Sequence, residues 1–126
     1  MKRIVLALLL SASAARGDQP GPSFGNPYAF TEQSGEAIYH SVCAGCHMQD
    51  GKGATGAGSY PSLNGNEKLA APAYPIHMVL KRHKAMPPFS RALTDPQVAA
   101  VVTYIRTHFA NRFADAVTAA DVAAER

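Results

Sequence analysis

Residues 41–53 read SVCAGCHMQDGKG, and they hold both cysteines of the chain, Cys43 and Cys46, with His47 directly after the second. Three chemistries use a C-x-x-C pair, and each needs different surroundings. A redox dithiol works within a βαβ unit, a structural zinc ion needs two further ligands, and covalent haem attachment needs the histidine that follows. The choice among them depends on the rest of the chain.

The neighbouring sequence favours haem over the other two chemistries. A zinc site usually combines two such pairs, and the histidine pair His77 and His83 begins 31 positions after Cys46, too far from the cysteines for a zinc finger. A thioredoxin-like dithiol needs a βαβ pattern that is missing here, and a plain disulfide leaves His47 without a role. Covalent attachment uses the whole motif, since two thioethers would bind the vinyl groups and neutral His47 would bind the iron from one face. We therefore predict one covalently bound haem c.

The first ten residues, MKRIVLALLL, followed by SASAA, are typical of a secretory leader. Lys2 and Arg3 precede an apolar run that is too short for a bilayer, which takes about 20 residues. We predict a signal peptide over 1–17, with an alternative end at Ala14, and no membrane span in the mature chain. An uncleaved anchor or an amphipathic surface segment is the alternative. Export places the mature protein in the periplasm.

The formal net charge of +3 depends on this leader. Its removal takes away Lys2, Arg3 and Arg16 and leaves nine basic and nine acidic residues. A neutral mature chain argues against a nucleic-acid partner. The remaining chain of about 109 residues makes one domain without tryptophan, to whose small core a buried cofactor would add apolar contacts.

The rest of the chain shows helical periodicity and no alternating strand pattern, which predicts an all-α domain. Residues 18–30 are rich in proline and glycine and predict an extended arm. The domain is expected over 31–111. Its first helix would be capped by Thr31 or Ser34 and would end near the cysteines, and residues 49–66 would form an irregular loop.

Two further helices are predicted within the domain and one in the tail. A short helix should begin near Pro75 and stop at Pro87-Pro88. The strongest signal is Thr94-Asp95-Pro96-Gln97, a capping box followed by an apolar stripe at Val98, Val101, Val102, Ile105 and Phe109. The tail over 112–126 should hold a short helix capped by Thr118.

Taken together, these stretches resemble a class I c-type cytochrome. The likeness rests on CAGCH at 43–47, YPSLNG at 60–65, KAMPPF at 84–89 and the helix of LTDPQVAAVVTYIR, so it covers nearly all of the mature part. More narrowly, YAFTEQSGEAIYHSVCAGCHMQDGKG and the tail resemble small periplasmic cytochromes that accept electrons as subunits of bacterial dehydrogenases. The resemblance implies three to five helices wrapped around one covalently bound haem.

A cytochrome of this kind has a sixth iron ligand on the face opposite His47. Met86 lies in A-M-P-P-F, which resembles the methionine loop of the family, and is the expected ligand. His83 is the alternative, because its spacing of seven from Ile76 could turn it towards the core. The other candidates are less suited, because they adjoin His47, lie mid-helix or occupy solvated helix positions: Met48, Met78, His40, His77 and His108.

Two further assignments concern the surroundings of the iron. Pro61 matches the proline of the family whose carbonyl accepts the second N–H of the axial histidine, although an ordinary loop proline would look the same. Lys81, Arg82 and Lys84 form a dense basic cluster before the Met86 loop. Such a run is usually a solvated face, but here it could also dock an acidic partner at the haem edge.

The resemblance implies an electron carrier and not an enzyme. One electron would pass from a dehydrogenase to a downstream cytochrome or terminal oxidase, while both axial ligands stay bound. A fixed haem subunit of a larger respiratory complex would share every motif and remains open. A ligand-binding haem protein or sensor would need an open sixth position, which an intact methionine loop disfavours.

Overall fold

The computed structural model describes residues 29–126. The predicted signal peptide, with both of its cleavage points, and nearly all of the predicted arm lie outside the described residues. The elements, in chain order, are α1 (Gly35–Ile38), a π-helical turn (Tyr39–Cys43), α2 (Ala44–His47), β1 (Ala54–Thr55), β2 (Ser59–Tyr60), a 3₁₀ turn (Glu67–Ala70), α3 (Ala73–Leu80), α4 (Asp95–Thr107) and α5 (Ala119–Glu125).

The first helical segment begins at one of the two predicted caps. The Ser34 hydroxyl accepts a hydrogen bond from the amide of Ala37 at 3.2 Å. The π-helical turn then widens the helix, with the Ala44 amide donating to the Tyr39 carbonyl. Ile38, at the end of α1, and Tyr39, at the start of this turn, are both fully buried, which the simple four-residue spacing of Ile38 and Val42 did not indicate.

Helix α4 confirms the strongest helix signal in the sequence. Thr94 and Gln97 form the predicted capping box, with the Thr94 amide donating to Gln97 Oε1 at 2.9 Å. The four stripe residues within the helix are buried: Val98, Val101, Val102 and Ile105. Phe109 lies beyond the end of α4 at Thr107, in a left-handed conformation, and still packs against the core.

Helix α4 forms the centre of the fold, with α1, α3 and α5 packed against it. The crossing with α1 is very close, because a Cβ atom added at Gly35 would lie 2.2 Å from the Ala100 carbonyl oxygen. Helix α5 begins at Thr118, whose hydroxyl and Asp121 form a second capping box, and it buries Val122 fully.

The region between α2 and α4 differs from the sequence predictions in two ways. A small antiparallel sheet pairs Ala54 with Tyr60 and Thr55 with Ser59, within the loop predicted as irregular. Strands of two residues are too short to show an alternating pattern. Helix α3 begins at Ala73, near the predicted start, but ends at Leu80 and not at Pro87, because Lys81 is extended and the chain turns into a hairpin between His83 and Met86.

Within 29–126, none of the helices has the length and apolar character that a bilayer crossing requires.

Candidate functional site

The C-x-x-C-H motif lies on the short helix that follows the π-helical turn. Cys43 ends that turn, Cys46 and His47 belong to α2, and the helix ends because Met48 adopts a positive φ of 65°. Cys43 and His47 are four residues apart, so they lie on one face of the helix, and both line the same cavity. Cys46 is exposed.

The imidazole of His47 is oriented by the loop opposite. Its Nδ1 lies 2.9 Å from the carbonyl oxygen of Pro61, the pair of atoms that the family resemblance implies. A carbonyl only accepts hydrogen bonds, so Nδ1 carries the proton and Nε2 keeps a free lone pair for a metal. Gly53 allows the loop this close, because a Cβ there would lie 2.1 Å from the Tyr60 carbonyl oxygen.

The cavity in front of His47 has mainly apolar walls. Leu69 comes from the 3₁₀ turn, Val79 from α3, and Val101 and Ile105 from α4. Met86 lines the same cavity, as do three polar side chains: Asn66, Lys68 and Tyr74. Tyr74 is 40% exposed, so the cavity is open to solvent beside it.

A tight hairpin presents Met86 to the cavity. The Met86 amide donates to the His83 carbonyl at 2.9 Å, the His83 amide donates back to the Met86 carbonyl at 3.3 Å, and Lys84 takes a positive φ of 52° at the turn. Met86 is half-buried, whereas His83 is exposed. The spacing argument for His83 was wrong, because α3 ends at Leu80 and the helical spacing does not extend to residue 83.

The remaining candidate ligands divide into two groups. Met78 lies mid-helix as expected, but it also lines the cavity, which the sequence did not reveal. The other histidines are exposed on helices or at their ends: His40, His77 and His108.

Only part of the basic cluster of Lys81, Arg82 and Lys84 is available to a partner. Lys81 Nζ donates to the main-chain carbonyl of Arg126 at 2.6 Å, and Lys81 is half-buried. Arg82 and Lys84 are exposed beside the Met86 hairpin.

Two buried polar side chains that the sequence analysis did not identify hold the cavity wall over 63–70. The Asn111 amide donates to the carbonyls of Leu63 and Ile105 at 2.7 and 2.8 Å. The Arg106 guanidinium donates to the carbonyls of Leu69 and Ala70, both at 2.9 Å. The sequence could have predicted the burial of Arg106, because this residue lies eight positions after Val98 and therefore on the apolar face of α4. Asn111 lies after the end of the helix, and no sequence pattern predicted its burial.

The pKa of the Cys43 thiol argues against a redox dithiol formed by Cys43 and Cys46. Burial, with a smaller contribution from Cys46, raises the pKa of the Cys43 thiol to about 12. A catalytic cysteine needs the opposite shift, because the thiolate is the reacting species. The Cys43 thiol, an imidazole with a free Nε2 and the Met86 thioether around one apolar cavity, with the Cys46 thiol exposed on the same short helix, instead fit a haem, for which thiols supply thioethers and the other two groups supply iron ligands.

Comparison with known proteins places the chain in a family. Residues 30–105 match the family described as "Cytochrome C oxidase, cbb3-type, subunit III". The fructose dehydrogenase cytochrome subunit of Gluconobacter japonicus is 37% identical over 102 residues, which are 69% of this chain and 20% of that protein. The gluconate 2-dehydrogenase cytochrome c subunit of Pantoea cypripedii is 35% identical over 109 residues, which are 75% of this chain and 24% of that protein.

A third relative is the cytochrome c subunit of the quinone alcohol dehydrogenase of Gluconacetobacter polyoxogenes, 34% identical over 101 residues, or 70% of this chain and 21% of that protein. The chain thus spans about a fifth to a quarter of the length of these relatives. The family match covers more than half of the chain and includes the C-x-x-C-H motif and Met86. The chain therefore belongs to the cytochrome c family described as cytochrome c oxidase, cbb3-type, subunit III.

Proposed function

We propose that this chain is a periplasmic mono-haem cytochrome c that carries single electrons from a dehydrogenase to a downstream cytochrome or terminal oxidase. The observation that carries the proposal is the position of His47 and Met86 on one apolar cavity, with His47 Nδ1 held by Pro61. Haem c, when bound, supplies an iron that exchanges one electron between its ferric and ferrous states.

The protein residues have separate roles in this proposal. Cys43, at the end of the π-helical turn, and Cys46, in α2, would hold the cofactor by two thioethers. His47 binds the iron through Nε2, because Nδ1 is used by the Pro61 carbonyl. Met86 binds from the hairpin side, and its thioether favours the reduced iron, which suits an electron acceptor. The apolar walls keep water from the iron, while the edge near Tyr74 stays accessible for electron transfer.

The surface next to the Met86 hairpin is the proposed docking site for a redox partner. Arg82 and Lys84 are exposed there, which suits a partner with carboxylates around its own electron-transfer site. Lys81 contributes less than the sequence suggested, because its amine already donates to the Arg126 carbonyl. We expect short-range orientation of the partner and little long-range steering, since the mature chain is predicted to be neutral.

A permanent subunit of a dehydrogenase or respiratory complex is the second candidate. It is favoured by the relatives, each of which is named as a cytochrome subunit of a dehydrogenase. Affinity capture of the tagged chain from its native membrane and soluble fractions, followed by mass spectrometry, separates the two. A stoichiometric dehydrogenase supports the subunit, and a chain recovered alone supports the shuttle.

Covalent haem is tested on the purified mature protein. Denatured protein should keep its Soret absorbance after acid–acetone extraction and should weigh one haem more than the polypeptide. Colourless protein after extraction would contradict the proposal. Cys43→Ala and Cys46→Ala should each lose one thioether, which the pyridine haemochrome spectrum reports, and His47→Ala should lose the proximal ligand.

Export is tested by N-terminal sequencing of the same protein. The periplasmic form should begin at Asp18 or Ala15, because the predicted cuts follow Gly17 or Ala14. A cytoplasmic apoprotein that still begins at Met1 under native expression would refute the predicted leader.

A further inference from the structure

The end of α4 contains a charge that is completely enclosed by protein. Arg106 is 0% exposed, and its Nε and Nη2 donate to the carbonyl oxygens of Leu69 and Ala70. Enclosing a guanidinium costs several kcal/mol unless its donors are paired. Phe113 covers one face of the group, with its ring centre 6.0 Å away. The Arg106 guanidinium is therefore fixed by hydrogen bonds and packing, and its buried positive charge requires a negative group nearby.

Asp115 supplies that counter-charge from the surface. Arg106 Nη2 lies 2.8 Å from Asp115 Oδ1 and 2.9 Å from Oδ2. The two side chains differ sharply in exposure, at 0% for Arg106 and 65% for Asp115. Water screens the exposed carboxylate more strongly than the buried guanidinium, because the effective dielectric constant is lower inside the protein. The pair thus leaves a positive potential on its buried side.

The buried side of the pair lies directly behind the cavity wall. Leu69, whose carbonyl accepts from Arg106 Nε, lines the cavity. Ile105, the preceding residue in α4, lines it as well. Arg106 is not among the residues that line the cavity, so its influence on a group bound there would be electrostatic or would pass through the wall.

We propose that the Arg106–Asp115 pair tunes the reduction potential of the bound haem, with Arg106 raising it and Asp115 limiting the rise. The inference rests on the proposed function. Reduction adds one electron, supplied by the redox partner, and turns ferric into ferrous iron, so a nearby positive potential favours the reduced state. The pair itself exchanges neither atoms nor protons. Arg106 acts on the haem through its charge and through the cavity wall, and it does not bind the iron.

Midpoint potentials of the purified holoprotein variants test this, by spectroelectrochemistry at neutral pH. Asp115→Asn should shift the equilibrium towards ferrous iron by about threefold, or about 28 mV at 59 mV per tenfold. Arg106→Gln should shift it towards ferric iron by at least as much, and Arg106→Lys, which keeps the charge, should lie nearer the wild type. Glu36→Gln is the matched control, since it removes one exposed carboxylate from the first turn of α1.

Opposite shifts of the midpoint potential in Asp115→Asn and Arg106→Gln distinguish electrostatic tuning from a merely structural role. A loosened wall would admit water in both variants and move both potentials the same way. Asp115→Asn decides the matter even if Arg106→Gln fails to fold, because the buried guanidinium keeps its bonds to Leu69 and Ala70. A lower or unchanged potential in Asp115→Asn would overturn this inference and would leave the proposed function standing. A wild-type protein without haem, recognised first from its pyridine haemochrome spectrum, would overturn the proposed function too.

Discussion

At the scale of single residues, the proposed iron site depends on two side chains from separate parts of the chain. His47 is placed by its motif and by the Pro61 carbonyl, whereas Met86 depends on a hairpin with a left-handed residue at Lys84. A second thioether, Met78, lines the same cavity. Two thioethers, of Met78 and Met86, thus lie on the cavity that His47 lines, and substitution of each distinguishes the iron ligand from a wall residue.

We predict that Met86→Ala removes the weak far-red band of oxidised methionine-ligated haem, opens the iron to cyanide or imidazole, and lowers the potential. A thioether favours ferrous iron more than water or imidazole does, and a fall of about 100 mV changes the one-electron equilibrium by more than tenfold. Optical titration with ligands checks this.

The control variants are Met78→Leu and His83→Ala, both of which should keep the band. His83 lies outside the cavity lining, and Met78 is expected to act only as a wall residue. Loss of the band in Met78→Leu with retention in Met86→Ala would reassign the ligand. An opened site in His83→Ala alone would indicate bis-histidine ligation.

At the scale of elements, the α1–α4 crossing and the connection between α4 and the tail hold the fold around the cavity. The crossing requires a glycine, because the Ala100 carbonyl and the Tyr104 side chain leave no room for a Cβ at Gly35. Arg106 and Asn111 then tie the 3₁₀ turn and its preceding loop to the end of α4. Both features are contacts between distant parts of the sequence.

We predict that Gly35→Ala lowers the free energy of unfolding by about 1–3 kcal/mol, since an inserted methyl forces the two helices apart. Gly45→Ala in α2 is the matched control, because no atom lies within 4 Å of the added Cβ, and we expect a gain of about 0.5–1 kcal/mol from helix propensity. Denaturant unfolding of both variants measures the difference. Equal effects of the two substitutions would show that the crossing is not tightly packed.

The Arg106–Asp115 pair also predicts a pH dependence of stability. The hydrogen bond from Arg106 lowers the pKa of Asp115 below its ordinary value. A lowered folded-state pKa means that the stabilisation is complete above the unfolded pKa, about 3.9, and is lost as the pH falls through the folded value.

Acid unfolding of the wild type and of Asp115→Asn at several pH values checks this prediction. The variant should be less stable at neutral pH and should lose less stability below about pH 4, since it has no carboxylate to protonate there. Parallel pH profiles for the two proteins would contradict the coupling.

At the scale of the whole molecule, the question is how the cavity edge meets another protein. Exposed Arg82 and Lys84 adjoin the hairpin that carries Met86, while other basic side chains are already paired, such as Arg106 with Asp115 and Lys52 with Asp50. Positive charge near the cavity thus comes from this short segment after α3 and from exposed Lys68, which lines the cavity.

We predict that Arg82→Glu together with Lys84→Glu slows reduction of ferricyanide by the ferrous protein, because the anionic complex is then repelled near the haem edge. Stopped-flow rates at low salt should fall severalfold, and the difference should shrink as salt screens the charges. Arg91→Glu together with Arg112→Glu, at two other exposed positions, is the control, because it changes the net charge by the same amount. A rate loss in the control equal to that in the Arg82 and Lys84 variant would show that only net charge matters.

The sequence by itself determined the features that are local in the chain. The C-x-x-C-H spacing, the capping boxes at Thr94 and Thr118 and the α4 stripe each involve residues within a few turns, so periodicity and motif chemistry predict them. Ser34, one of the two predicted caps, and the start of α3, to within about two residues, follow from the same local rules.

Only the tertiary structure decided the features that depend on contacts between distant segments. Helix α3 ends early because the His83–Met86 hairpin competes with it, and that hairpin leaves His83 exposed while Met86 lines the cavity. Ile38 and Tyr39 are both buried because α1 and the π-helical turn pack against α4, and Arg106 is buried where the carbonyls of Leu69 and Ala70 accept its hydrogen bonds. Apart from the hairpin, these contacts join residues more than 30 positions apart, and no local pattern in a single sequence encodes them.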